Sequence, residues 1–208
     1  MAHYGIVSKK AFGVQMPILR KIASETGRNH TLADKLWATG IHDARMLACL
    51  VADPALVTKR QMEQWARDFD NWAICDTCCL SLFDKTPFAF EMAHRWSKRK
   101  AEYVKRAGFA LMACLAWHDT DSPDSRFRRF FVPVKREATD ERNSVHKAVN
   151  WALRQIGKRN ATLLLEAIAI ARQISTIDSP SARWISSDAL RELRSPNIRN
   201  RLKKKKKS

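Results

Sequence analysis

Apolar residues recur along this chain three and four positions apart, the spacing of a helix face rather than of a strand. The clearest case is the row Val145, Val149, Ala152 and Ile156. The punctuation between such rows fits helices as well. Pro17 suits the first turn of a helix running to Gly27. Asn29 or Thr31 suits the cap of a second, ending at Gly40. Asp43 opens a third, to Asp53-Pro54, and Thr58 a fourth, to about Phe69. Asp70 begins a fifth, to about Phe83, and Thr86-Pro87 a sixth. A seventh covers Ala101 to His118. An eighth starts at Ser122-Pro123 and is bent or broken at Pro133. Thr139 starts a ninth, to Lys158; Asn160 caps a tenth; Ser179-Pro180 opens an eleventh.

Short connections make such helices antiparallel neighbours. About eleven helices in pairs of roughly 35 residues give the pattern of a helical-repeat solenoid. The repeat is one of length only, without a motif shared between pairs, so a helical bundle is the competing architecture. Residues 1–202 are expected to form one domain and 203–208 a disordered basic tail.

Composition narrows the class. The 208 residues are 45 % hydrophobic, with only six glycines, which suits a folded all-α chain. The longest uncharged apolar run, Phe109 to Trp117, is too short to span a bilayer. Lys9 and Lys10 are not followed by the apolar run of a signal peptide. Cysteines at 49, 75, 78, 79 and 114 are odd in number and read as reduced thiols of an intracellular, cytoplasmic protein. Lys and Arg outnumber Asp and Glu by 38 to 21, a net charge of +17. Removing Arg199 to Ser208, which hold seven of the basic residues, still leaves +10, so the body itself suits a polyanion.

Two segments carry candidate chemistry. In the ninth helix Lys147, Trp151, Arg154 and Lys158 follow one row away from the apolar face. A tryptophan among cations offers phosphates their counter-charge and a base or sugar a flat surface. The plainer reading packs Trp151 on a neighbouring helix and leaves the cations solvated. The second segment places Trp65, Phe69, Trp72, Asp76 and Cys79 on one helical row. A carboxylate on an aromatic face needs a cation partner or a task. The plainer reading is a salt bridge, with Arg106 as the partner. Cys75 and Cys78 match C-x-x-C but lack a second ligand pair, so no metal is expected. No phosphate-cradling glycine motif is present, and no cofactor is expected.

These residues fall within segments that resemble the DNA alkylation repair family, which contains the AlkD-type DNA glycosylases. The segments are Phe12 to Arg20, Leu36 to Arg45, Trp65 to Asp76, Val104-Lys-Arg-Ala-Gly-Phe109 and Ala138 to Asn160, the last being the most specific. The resemblance covers about Gly5 to Leu202. It implies a HEAT-like helical solenoid whose concave basic face holds duplex DNA, and excision of cationic N3- and N7-alkylated purines. The family's W-x-x-x-D motif falls on Trp72 and Asp76, its arginine on Arg106 and its second tryptophan on Trp151. DNA contacts are then expected from Lys105, Lys147, Arg154, Lys158 and Arg159. Family members commonly carry more helix ahead of Gly5, so a shorter N-terminal piece is expected here.

The resulting expectation is a monomeric alkylpurine DNA glycosylase of base excision repair. It needs no metal or small-molecule cofactor, does not bind membrane, and associates with the nucleoid through double-stranded DNA bearing alkylated bases. Three other readings compete. One is a non-catalytic binder of DNA structures on the same scaffold. Another is a helical-repeat scaffold for an acidic protein partner. The third, RNA binding, suits the charge but gains nothing from a carboxylate in the cleft.

Overall fold

The computed structural model describes residues 10–205, and every regular element among them is helical. The chain divides into two units, Met1–Ala89 and Phe90–Ser208.

In the first unit the helices are α1 (Met16–Thr26), α2 (His30–Ala38), α3 (His42–Val51), α4 (Lys59–Arg67) and α5 (Trp72–Ser81), followed by a 3-10 turn at Phe83–Lys85. Side-chain caps set several starts. Asn29, Thr58 and Asn71 each accept from a backbone N–H two or three residues ahead, which satisfies donors the helix itself leaves open. The helix α3 packs against α1, α2 and α5 and so forms the middle of the unit. Beneath it Trp37 stacks on Trp65, centroids 4.1 Å apart and planes 3° from parallel, with Phe69 edge-on to Trp37. The Trp37 indole N–H is satisfied by Asp68 at 2.8 Å.

This arrangement corrects the row expected from Trp65 to Cys79. The helix ends at Arg67 and restarts at Trp72, because Asn71 caps the new helix through Ala73 N and Ile74 N. Trp65 and Phe69 therefore belong to the Trp37 cluster. Trp72 leads a separate helix, with Asp76 one turn along it.

In the second unit, α6 (Ala89–Trp96) begins at the boundary. It is followed by α7 (Glu102–His118), α8 (Asp124–Arg128), α9 (Phe131–Arg136), α10 (Asn143–Gly157), α11 (Ala161–Ser175), α12 (Pro180–Leu193) and α13 (Pro196–Lys205). The apolar run from Phe109 is explained by burial: α7 is enclosed from Ala107 to Ala116 and packs mainly on α10. Gly108 instead lets the end of α6 approach α7 closely. A Cβ there would lie 2.4 Å from Ser97 N and 2.9 Å from Trp96 C, both backbone atoms. The break expected at Pro133 falls earlier, at Arg129 and Phe130, and Pro133 lies in the first turn of α9, where its missing N–H costs nothing. The helix α13 continues to Lys205; of the tail expected at 203–208, residues 206–208 lie outside the described residues. Among the described residues no helix is long and apolar enough to cross a membrane.

Candidate functional site

The first unit holds Trp72 and Asp76 on adjacent turns of α5. Trp72 is 36 % exposed and Asp76 half-buried. Both line an open cavity of about 380 Å³ bordered by α1, α3, α5 and residues 13–15, with Leu19, Met46 and Leu80 on its apolar walls. The wall residues are fixed by two neighbours at the start of α3. The buried Asp43 carboxylate accepts the backbone N–H of Phe12 through Oδ2 at 2.6 Å and that of Val14 through Oδ1 at 2.8 Å. Between them Gly13 turns the chain at φ +77°, a conformation a side chain would strain. His42 N also donates to Lys10 O, at 2.9 Å.

His42 then links this segment to the candidate residues. Its Nδ1 lies 3.3 Å from Asn71 Nδ2, the same Asn71 whose Oδ1 caps α5 immediately before Trp72. An amide nitrogen can only donate, so His42 Nδ1 accepts and the proton sits on Nε2. Burial favours that neutral ring: desolvation lowers the His42 pKa against the opposing pull of Asp43 and Asp70. Asp43 and His42 thus hold the cavity and the N-terminus of α5. Neither function is visible in the sequence, where Asp43 reads only as the opening of a helix.

The second unit holds Arg106 and Trp151. Arg106 is 7 % exposed on α7 and donates from Nη1 to the carbonyl of Ser144, in the first turn of α10. Trp151 is half-buried on α10, and the expected apolar face of Val145, Val149, Ala152 and Ile156 is fully buried.

The expected DNA-binding cations are mostly engaged within the protein. Arg154 pairs with Glu192 and approaches Asp188 at 3.7 Å; Lys158 donates to Glu192 at 2.7 Å. Glu192 is held below its ordinary pKa by these two cations, against the opposing effect of burial. Lys105 donates to Glu137 and Asp140. Burial raises the Asp140 pKa, but hydrogen bonds from Arg142 and Lys105 outweigh it and bring the value down to about 2. Arg159 donates to the carbonyls of Asp119 and Ser122, and its guanidinium carbon lies 3.7 Å from the Phe127 ring centre. Of the five, only Lys147 is exposed.

One aromatic escaped the sequence reading. Trp184 on α12 is 42 % exposed, and its ring lies 4.9 Å from that of His146, tilted by 56°. The cysteines of the C-x-x-C segment are buried free thiols. Burial, the Cys49 thiol and the neighbouring Cys75 push the Cys78 thiol well above its ordinary pKa. Among the described residues no group of three or more His, Cys, Asp or Glu is placed to hold a metal.

The all-α repeat and the cavity-lining Trp72–Asp76 pair define a helical-repeat protein with a candidate reactive carboxylate. The family model for DNA alkylation repair enzymes matches residues 1–193, and the chain belongs to that family. Its fold is similar to that of a solved structure described as a new family of proteins related to the HEAT-like repeat DNA glycosylases with affinity for branched DNA structures. The two share 20 % identity over 92 % of this chain and 86 % of that one, with a TM-score of 0.74. The fold is accordingly the HEAT-like helical repeat. No curated protein matches the chain.

Proposed function

We propose that this protein is a DNA glycosylase that hydrolyses the N-glycosidic bond of cationic N3- and N7-alkylated purines in duplex DNA, with Asp76 as its catalytic carboxylate. The observation that carries the reading is the placement of Asp76 one turn after the exposed Trp72, both on the wall of an open cavity. Membership of a DNA alkylation repair family supplies the substrate class.

An alkylated purine is already positively charged and leaves without being protonated. As its bond to the sugar breaks, positive charge passes to the deoxyribose. A carboxylate beside that sugar stabilises the oxocarbenium-like state and orients the attacking water. At about 4 Å and an effective dielectric near 20, the attraction is roughly 4 kcal/mol, about a thousandfold in rate. In this reading Trp72 presents a π face to the cationic nucleotide beside Asp76, and Trp151 offers the DNA a flat surface one turn from Lys147. Arg106 orders the first turn of the helix that carries Trp151. Lys147 supplies a phosphate contact, while Lys105, Arg154, Lys158 and Arg159 serve the scaffold through the ion pairs and carbonyl bonds described above.

The test is release of 7-methylguanine from methylated duplex DNA. Asp76→Asn should lower the rate by about a thousandfold while duplex affinity stays near wild type. Excision at the wild-type rate by this variant removes Asp76 from the reaction. A second reading, binding of DNA structures without catalysis, is favoured by the likeness to a protein described by its affinity for branched DNA. It predicts no base release by the wild type and no effect of Asp76→Asn on affinity.

A further inference from the structure

Up to Asn29 the chain carries one acid, Glu25, against five bases, Lys9, Lys10, Arg20, Lys21 and Arg28. Glu25 stands 4.0 Å from Lys21, one turn away on α1, and both are open to solvent. Arg20 and Arg28 are exposed, and neither forms an ion pair among the described residues.

The end of α1 brings these two arginines together. Arg20 and Ser24 lie one turn apart on the helix. Gly27 closes it at φ +69°, a conformation that favours a residue without a side chain. The chain then turns onto the end of α3, where Asn29 N donates to Val51 O at 2.8 Å. Arg28 donates from Nη1 to the carbonyls of Leu50 at 3.1 Å and Ala52 at 2.6 Å. These bonds fix its guanidinium, but a helix end offers only about half an elementary charge, so the cation is not cancelled.

Between the arginines lies an open hollow of about 300 Å³, lined by Arg20, Ala23, Ser24, Gly27, Arg28 and Leu50. Its described walls hold two cations, a hydroxyl and no acid. The acids nearest in sequence are engaged elsewhere, Glu25 by Lys21 and Asp53 by the backbone N–H of Ala55. Arg20 also lines the cavity of Trp72 and Asp76, as the one arginine or lysine among the described residues there. The second carboxylate of that cavity, Asp43, is taken by the N–H groups of Phe12 and Val14. A carboxylate placed to meet a nucleotide's sugar repels the phosphates on either side of it. A cation on the same rim offsets that repulsion when no internal acid holds it.

We propose that the hollow between Arg20 and Arg28 seats a phosphodiester of the DNA backbone, with Ser24 as a further donor, and that Arg20 leads the strand from there to the edge of the Asp76 cavity. This rests on the DNA-binding part of the function proposed above, not on its catalytic part. Guanidinium groups suit a phosphate because each offers paired N–H donors to its oxygens. Such a contact positions the strand and carries no base preference.

The test measures binding of an unmodified duplex at several salt concentrations. The proteins are wild type, Arg20→Gln, Arg20→Lys, Ser24→Glu and Lys21→Gln, all as full chains. Arg20→Gln should keep the wild-type unfolding midpoint and lower the log–log salt slope by about 0.9. Arg20→Lys should restore the slope, since it keeps the charge, with affinity roughly threefold below wild type for want of the paired donors. Ser24→Glu sets a carboxylate between the guanidiniums and should weaken binding roughly tenfold at low salt. Lys21 lines neither hollow, so Lys21→Gln should keep the wild-type slope. An equal fall in Lys21→Gln and Arg20→Gln overturns the proposal, because the attraction would then be one of diffuse charge. Inorganic phosphate, added at constant ionic strength, should leave the wild-type Tm unchanged. A rise that Arg20→Gln abolishes would assign the hollow to a free anion and overturn its assignment to DNA. If the wild type binds no duplex, the DNA-binding reading fails and the proposal with it. If it binds with a slope that Arg20→Gln does not alter, the proposal alone fails. Base release, assayed separately, reports on Asp76.

Discussion

In the first unit one carboxylate, Asp43, takes two backbone N–H groups and so holds the chain from Phe12 to Val14 against α3. In the second unit the comparable work is divided among ion pairs, with Asp140 and Glu192 each receiving two cations. The difference lies in what is left over. Backbone donors carry no net charge, so holding the first unit's segment consumes no cations. Holding α7, α10 and α12 consumes four of the five cations that looked available for a ligand. Excess charge in a sequence is therefore a poor measure of charge offered to a partner. The informative quantity is the charge that remains after internal acids have been matched.

Substitutions can break this contrast. Asp43→Ala should have the largest effect, because it leaves two N–H groups without their acceptor. A loss of about 2–3 kcal/mol is expected in denaturant unfolding, with faster amide exchange at Phe12 and Val14. Asp43→Asn should recover about half, since only one of its two terminal atoms accepts. Equal stability of all three proteins would mean that the segment is held by other contacts.

Arg154→Ala should cost about 1 kcal/mol by removing one of two cations from Glu192. It should leave the salt slope of DNA binding unchanged. Lys147→Ala should do the reverse, leaving stability within about 0.5 kcal/mol and reducing the slope. A fall in slope for Arg154→Ala would show that its pairing yields to phosphate.

A further effect concerns acid. Asp140 titrates at about 2 in the folded protein, against an ordinary value of 3.8. Its lowered pKa stabilises the fold above about pH 4, and that contribution is lost as pH falls towards 2. Unfolding free energy of Asp140→Asn should therefore fall less steeply over that window than that of the wild type. Parallel curves would show that Lys105 and Arg142 do not hold this carboxylate in solution.

Much of the helix order was legible because caps and prolines act locally: Asn29, Thr58, Asn160 and Ser179 bond within three residues of themselves. The row from Trp65 to Cys79 fails because it carries one helical period across the boundary at Asp70-Asn71, where the chain starts a new helix. The candidate pair Trp72 and Asp76 stood out since a carboxylate one turn from a tryptophan is visible on a single helix. The pairing of Arg154 and Lys158 was hidden because Glu192 lies 34 or more residues away, on a helix whose rotation only packing decides. A comparable separation, 31 and 29 residues, concealed Asp43, whose carboxylate oxygens accept from a segment ahead of α1.

The buried cysteines have a consequence in the chemistry of damage. Reagents that methylate purine nitrogens also attack sulfur, and they attack thiolate far faster than thiol. All five cysteines are enclosed, and Cys78 holds its proton well above the ordinary range. A cell whose DNA is being alkylated also exposes its proteins to the same reagents. Here the softest nucleophiles of the chain are shielded by packing from the electrophiles that produce the lesions of alkylation repair.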